Sequence, residues 1–255
     1  MNLEFASLSD IGQVRMKNED AVGRRTPDDA KVLAEKGTIF VVADGMGGHR
    51  GGEIASELAV ETVLSLYYAS DQIEPIKVLE ECFVEANRRI LEKSTSDVDL
   101  FGMGTTCTSM VVRDREAFFA HVGDSRAYVL RNGDLLQLSD DHSLVGEMVR
   151  SGILSDEDAQ RHPKRNVITR SLGTHEELMP DFPSTPYSLT DGDVFLLCSD
   201  GLTSMVTDEE IRQVVSTLDP EPACQELIDL ANTKGGKDNI SVQIIKVVDT
   251  NSHKE

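Results

Sequence analysis

The chain has no tryptophan, and only 4 tyrosines and 4 cysteines among 255 residues. Cys82, Cys107, Cys198 and Cys224 stand far apart, with no C-x-x-C pair. That spacing excludes a disulfide framework or a zinc ribbon, both of which need clustered thiols. Positive charge is scarce too: 25 Lys and Arg against 45 Asp and Glu give a net charge of −20. Such a surface repels phosphate backbones and anionic headgroups, so neither nucleic acid nor membrane is expected as a partner. No apolar run approaches the ~18 residues that span a bilayer. The start, MNLEFASLSDIG, lacks a basic stretch followed by an apolar one, so no signal peptide is expected. Unpaired thiols then point to a reducing compartment, the cytoplasm. Repeats and low-complexity tracts are also missing.

What remains has the apolar and charged content of an ordinary globular protein, long enough for a real core. TIFVVADG (38–45) is a β-branched run ending in a turn signal. Apolar residues at helical spacing predict helices over 55–68 and 76–93. Strands are predicted at 105–113, 116–123 and 126–139, the last folded back at Asn132-Gly133 or Gly133-Asp134. Segment 143–172, with short helical patches, His162-Pro163 and several Arg, reads as an excursion from the sheet. Strand character returns at 193–201, helices follow at 208–217 and 220–233, and 239–248 is the last strand. Strands in a run, with helices in pairs before and after, predict an α+β fold of antiparallel sheets with helices outside. No linker divides the chain, and 249–255 reads as a short polar tail.

The informative feature is where aspartates fall. Three apolar runs each lead into an Asp with Gly beside it: FVVADG (Asp44), HVGDSR (Asp124) and LLCSDG (Asp200). GGKDNIS places Asp238 just before the last strand, and MKNEDA supplies Glu19 and Asp20. Any single Asp-Gly is an ordinary turn. As a group they are carboxylates at strand ends, which gather at one sheet edge and repel one another unless a cation neutralises them. Hard oxygen donors suit Mg²⁺ or Mn²⁺, whereas zinc calls for clustered His or Cys. Glycines crowd Asp44 in DGMGGHRGGE, where a backbone carbonyl can approach an ion. Neither G-x-G-x-x-G nor a P-loop is present, which disfavours a nucleotide site. Arg15, four residues before Glu19, is the candidate to hold a phosphate bidentately. Cys107 and Arg113 fit C-x5-R, the spacing of cysteine-dependent phosphatases. The intervening TSMVV, however, is a strand-like run without the glycines of a phosphate cradle.

In order, VRMKNEDA, VVADGMGGH, GTT, HVGDSRAY, DHS, CSDGL and GGKDNIS resemble the PPM (type-2C) metal-dependent Ser/Thr protein phosphatases, and DGMGGH resembles the bacterial branch. The resemblance runs from about residue 5 to 247. It implies a four-layer α/β/β/α sandwich with two central antiparallel sheets, a single catalytic domain over 1–248 and a flap over about 143–172. It implies about two to three Mn²⁺ or Mg²⁺ ions. Asp44 resembles the ligand bridging two of them, the Gly45 carbonyl a ligand of the second, and Asp200 and Asp238 the remaining ligands of the first. Asp20, supported by Glu19, resembles the residue that orients metal-bound water. Asp124 with Asp200 resembles a third, weaker site, and Arg15 the phosphate-binding arginine. Met46 stands where the eukaryotic branch has a His proposed as general acid, and Met cannot donate that proton. His49 or metal-bound water is the candidate replacement. His121 reads as a satisfied strand-face histidine, and His142 as a cap of the following helix or a support of the cleft wall. The reaction implied is direct hydrolysis of phosphoserine or phosphothreonine by a metal-bridging hydroxide, with no phosphoenzyme. Substrates are then phosphorylated proteins, including a Ser/Thr kinase as antagonist or direct substrate, and the default assembly is a monomer. Two other readings remain open, a phosphoprotein-binding module without activity and another binuclear-metal phosphoester hydrolase.

Overall fold

The computed structural model describes residues 2–47, 51–183 and 185–248. His49 and the tail 249–255 lie outside the described residues. Two antiparallel sheets form the centre. The first runs β1 (Asn2–Asp10), β11 (Ile240–Val248), β10 (Val194–Cys198), β7 (Arg126–Arg131), β8 (Asp134–Gln137). The second runs β2 (Asp20–Arg25), β3 (Thr38–Met46), β5 (Cys107–Arg113), β6 (Glu116–Val122), β9 (Tyr187–Ser188), with β4 (Gly104–Thr105) on the end of β3. Helices α2 (Gly51–Ala69) and α3 (Pro75–Ser96) cover the second sheet, and α7 (Asp208–Thr217) and α8 (Pro220–Thr233) the first. Short α1 (Ala30–Lys36), α4 (Leu144–Arg150), α5 (Asp156–Arg161) and α6 (Asp200–Thr203) complete the described α-helices, and Val98–Leu100 forms a 3-10 turn.

Period-two alternation explains the layering. In β3, Ile39, Val41 and Ala43 pack on α2 and α3, while Phe40 and Val42 pack toward the other sheet. In β10, Leu196 and Cys198 meet α7 and α8, while Phe195 and Leu197 face inward. The same switch in β5, β6, β7 and β11 makes three apolar layers, one between the sheets and one beneath each helix pair. Strands buried on both faces read as continuous apolar runs, which is why 38–45 and 193–198 stand out in the sequence. The expected four-layer sandwich is therefore the observed one.

Helix ends obey local chemistry. Thr207 and Glu210 form a reciprocal capping box on α7, and Pro220 opens α8 where its missing N–H costs nothing. The β7–β8 turn has Asn132 at φ 55° and Gly133 at φ 89°, the left-handed pair of a two-residue hairpin turn. Strands β1 and β2 and helix α1 were not expected from sequence. β1 alternates apolar and polar only loosely, β2 carries Gly23 and two arginines, and α1 is 7 residues long. Segment 143–172 leaves the sheet as expected, with α4 and α5 inside it. Ser143, not His142, caps α4, because its hydroxyl accepts the Gly146 N–H at 3.1 Å.

Candidate metal centre

On β2, Asp20 shares the face of Val22, which lies against the inter-sheet layer. On β3, Asp44 follows Phe40 and Val42 on that face, and Asp20 and Asp44 are direct register partners. Asp200 opens α6, two residues past the end of β10, and Asp238 lies two residues before β11. Asp124 follows the end of β6 and is 8% exposed. Each apolar run thus stops at one end of the sandwich and leaves a carboxylate there.

The surrounding polar groups fix these positions. Asp44 N–H donates to Thr106 Oγ1 at 2.8 Å, and Thr106 N–H and Thr105 Oγ1 both donate to the Asp44 carbonyl at 2.9 Å. Ser125 Oγ lies 2.8 Å from Thr106 Oγ1, joining the Asp44 and Asp124 segments. Gly45 N–H donates to the Glu19 carbonyl at 3.0 Å. A Cβ on Gly45 would lie 2.0 Å from the Gly52 carbonyl oxygen, so no larger residue fits without moving backbone. Ser199 Oγ donates to Asp20 Oδ2 at 2.7 Å. Arg15, with 47% of its side chain exposed, places Nη2 at 2.6 Å from Asp238 Oδ2.

Electrostatics give the group its character. Burial, with repulsion from Asp200 and Asp238, pushes the Asp20 carboxyl up to about 7 despite hydrogen bonds from Ser241 and Ser199. Burial and repulsion from Asp238 push Asp200 up to about 6, against a hydrogen bond with Asp44 and the charge of Arg15. Burial and then neighbouring carboxylates hold Asp44 and Asp124 well above the ordinary range. Glu19 is raised mainly by burial. Asp20, Asp44 and Asp200 are only partly buried, yet protein encloses them closely enough for desolvation to dominate.

Two oxygens decide what fits. Asp20 Oδ1 and Asp124 Oδ1 are buried with no hydrogen-bond partner. A buried acceptor left unpaired costs about 1–3 kcal/mol, and no side chain here offsets it. The donor set is carboxylate and carbonyl oxygen, the set that hard divalent cations take. Among the described residues no three His, Cys, Asp or Glu side chains form a ready-made metal cage. The site fits divalent cations in charge and chemistry.

The family model described as Protein phosphatase 2C matches residues 15–234. The chain belongs to the protein phosphatase 2C family. It is 38% identical over 249 residues to protein phosphatase PhpP of Streptococcus pneumoniae, covering 96% of this chain and 98% of that protein. The S. agalactiae serine/threonine phosphatase structure superposes with a TM-score of 0.87 at 37% identity, covering 96% of this chain and all of that one (100%). The catalytic domain of the serine/threonine protein phosphatase PstP, in complex with 2 manganese ions, superposes with a TM-score of 0.84 at 34% identity, covering 97% and 99%.

Other sequence candidates have separate places in this family fold. Cys107 is fully buried, and desolvation raises its thiol far out of the reactive range, so C-x5-R is a strand and not a nucleophile loop. His121 is satisfied as expected: Nδ1 lies 2.8 Å from Thr108 Oγ1 and Nε2 3.0 Å from the Asp140 carbonyl, while burial pushes its pKa down to about 4. It lines a cavity of about 560 Å³ with Phe119, Asp140 and Phe182, apart from the aspartates. His142 braces the turn before Asp124, with Nδ1 accepting the Gly123 N–H at 3.2 Å and Nε2 3.0 Å from Asp181 Oδ2. Arg161 pairs with Glu157 on its own helix, and Arg170 pairs with Asp181. Sequence reading missed Ser199, Thr106, Ser125 and Asn239, small polar residues inside the quoted motifs whose signal was their place beside each aspartate.

Proposed function

We propose that the protein is a metal-dependent protein phosphatase that hydrolyses phosphoserine and phosphothreonine. The single observation that carries this reading is the enclosed carboxylate group with two orphaned oxygens at one end of the sandwich. Asp44, the Gly45 carbonyl, Asp200 and Asp238 are assigned as ligands of two Mn²⁺ or Mg²⁺ ions, with Asp124 and Asp200 at a third. When bound, such ions supply Lewis acidity, acidifying water and neutralising charge on the phosphoryl oxygens.

The chain's own groups do the rest. Arg15 binds the phosphoryl oxygens from the cleft edge, where its exposure admits a bulky substrate and its fork suits bidentate binding. Asp20, held by Ser199 through Oδ2 and with Oδ1 free of any protein donor, would orient water at the metal site. Glu19 supports it from the same turn. Met46 donates no proton, so the leaving alkoxide takes its proton from His49 or from water.

Residues 1–248 are read as one catalytic domain with a flap over about 143–172. Among the described residues no helix is long and apolar enough to cross a membrane. A cytoplasmic monomer acting on phosphorylated proteins, with a Ser/Thr kinase as antagonist, fits the acidic surface and separate thiols. Phosphopeptide hydrolysis with and without Mn²⁺, comparing phosphoserine, phosphothreonine and phosphotyrosine, tests the reading. Turnover of the first two that stops on chelation is expected. Metal-independent turnover, or none with metal, contradicts it.

A further inference from the structure

The arm that carries Arg15 has no regular secondary structure between β1 and β2. A loop of that kind needs outside partners to hold a charged group in one place. One buried side chain supplies three of them. Asn239 is 4% exposed, and its Oδ1 accepts the Glu19 N–H at 2.8 Å. Its Nδ2 donates to the Ile11 carbonyl at 2.9 Å and the Lys17 carbonyl at 2.8 Å. Both amide hydrogens and the carbonyl are therefore used, and the contacts fall at both ends of the arm. The same residue's own N–H donates to Asp238 Oδ1 at 2.9 Å, on the carboxylate whose Oδ2 meets Arg15. At Gly12, φ +78°, a Cβ would lie 2.2 Å from the Asp238 carbonyl oxygen, so the arm runs directly against this turn.

We infer that Asn239 is a positioning residue that fixes the Arg15 arm and the Glu19–Asp20 pair against Asp238. The inference rests on the reading of Arg15 as the phosphate-binding group. An amide is the side chain that does this without adding charge. It donates twice and accepts once, whereas a carboxylate would face two carbonyls with like partial charge and add to the repulsion around Asp238.

The test is a cycle of KM and kcat for a phosphothreonine peptide in saturating Mn²⁺, using the wild type, Arg15→Ala, Asn239→Leu and the double variant. Leu matches Asn in shape and removes all three hydrogen bonds. Arg15→Ala is expected to raise KM about tenfold or more, the loss of charge-assisted hydrogen bonds. Asn239→Leu is expected to raise KM similarly, and the double variant to show no further rise, because both remove one function. A merely structural role predicts that the two KM effects multiply, and that result overturns the inference. An Asn239→Leu enzyme with wild-type KM beside a defective Arg15→Ala also overturns it, leaving the Arg15 reading intact. A wild-type KM in Arg15→Ala removes that reading and the inference with it. Amide exchange on the wild-type protein needs no variant. The Glu19 N–H is expected to be protected like the core of β11, and exchange at the solvent-exposed rate overturns the clamp.

Discussion

Strand β10 has an aspartate near each end, and the two are treated in opposite ways. Asp193, just before the strand, is 1% exposed. Burial works against its charge, but Arg131 Nε and Nη2 donate to it at 2.8 and 2.6 Å, and the Thr190 N–H and hydroxyl donate at 2.8 and 2.9 Å. Its pKa is held below the ordinary value. Asp200, beyond the other end, is pushed up to about 6 by burial and then by repulsion from Asp238. At one end the chain supplies its own countercharge. At the other, Arg15 meets Asp238 at the half-exposed edge, yet burial and repulsion still outweigh it at Asp200. Such undercompensation costs stability in the bare protein and is explained if further countercharge comes from outside as a metal ion.

Substitutions at the two ends should therefore behave as opposites. Asp44→Asn is expected to lower Mn²⁺-dependent turnover of a phosphothreonine peptide by about 10³-fold or more, the scale of losing preorganised electrostatic stabilisation. The metal-free variant is expected to melt at or above the wild-type temperature, since a repelled charge has gone. Asp193→Ala reverses the pattern. It should destabilise the fold by about 3 kcal/mol in denaturant, as for breaking an enclosed pair, with kcat unchanged in the folded fraction. A stability loss in Asp44→Asn matching that of Asp193→Ala would dissolve the contrast.

The contrast has a pH signature. Asp20 and Asp200 have folded values raised to about 7 and about 6. The native state then binds more protons than the unfolded chain over that range. Their contribution to stability is fully present below pH ~4 and is lost as pH rises toward ~7. Asp193 has the opposite sign, with stability present above the unfolded value near pH ~4 and lost on further acidification. Urea unfolding of chelator-treated protein between pH 4.5 and 7.5 should show stability falling as pH rises, and saturating Mn²⁺ should flatten or reverse that fall. Metal-free stability that is flat across this range would contradict the pKa assignments.

A smaller effect sharpens the picture at Asp20. Ser199→Ala removes the hydroxyl that donates to Asp20 Oδ2 and also accepts the Ser241 N–H. It is expected to cost about 1 kcal/mol in denaturant. The acid limb of Mn²⁺-dependent activity should move to higher pH, because the carboxylate form has lost a donor.

Much of this was legible in the sequence because both-face burial leaves uninterrupted apolar strands, and the aspartates punctuate them. Strand β3 and helices α7 and α8 lie where periodicity put them, with boundaries agreeing to within a residue. Strands β1 and β2 were not legible. β1 is an edge strand of loose alternation, and its place depends on pairing with β11, more than 200 residues away in sequence (Asp10 opposite Ile240). The acidic cluster was legible as a set of strand ends. The arginines each carboxylate receives or lacks were not, because Arg131–Asp193 and Arg15–Asp238 are contacts of the tertiary fold. His142 shows the same limit. Beside a helix start it reads as a cap, yet the cap is Ser143, and the histidine instead braces the turn that precedes Asp124.

The central claim is that the enclosed carboxylates are a seat for cations that the chain itself does not supply. Calorimetric titration of metal-stripped protein with Mn²⁺, repeated at pH 6 in buffers of different ionisation enthalpy, tests it most directly. Saturable binding of at least two ions with net proton release, lost in Asp44→Asn, is the predicted result. No Mn²⁺ binding, or binding unchanged in Asp44→Asn, would contradict it.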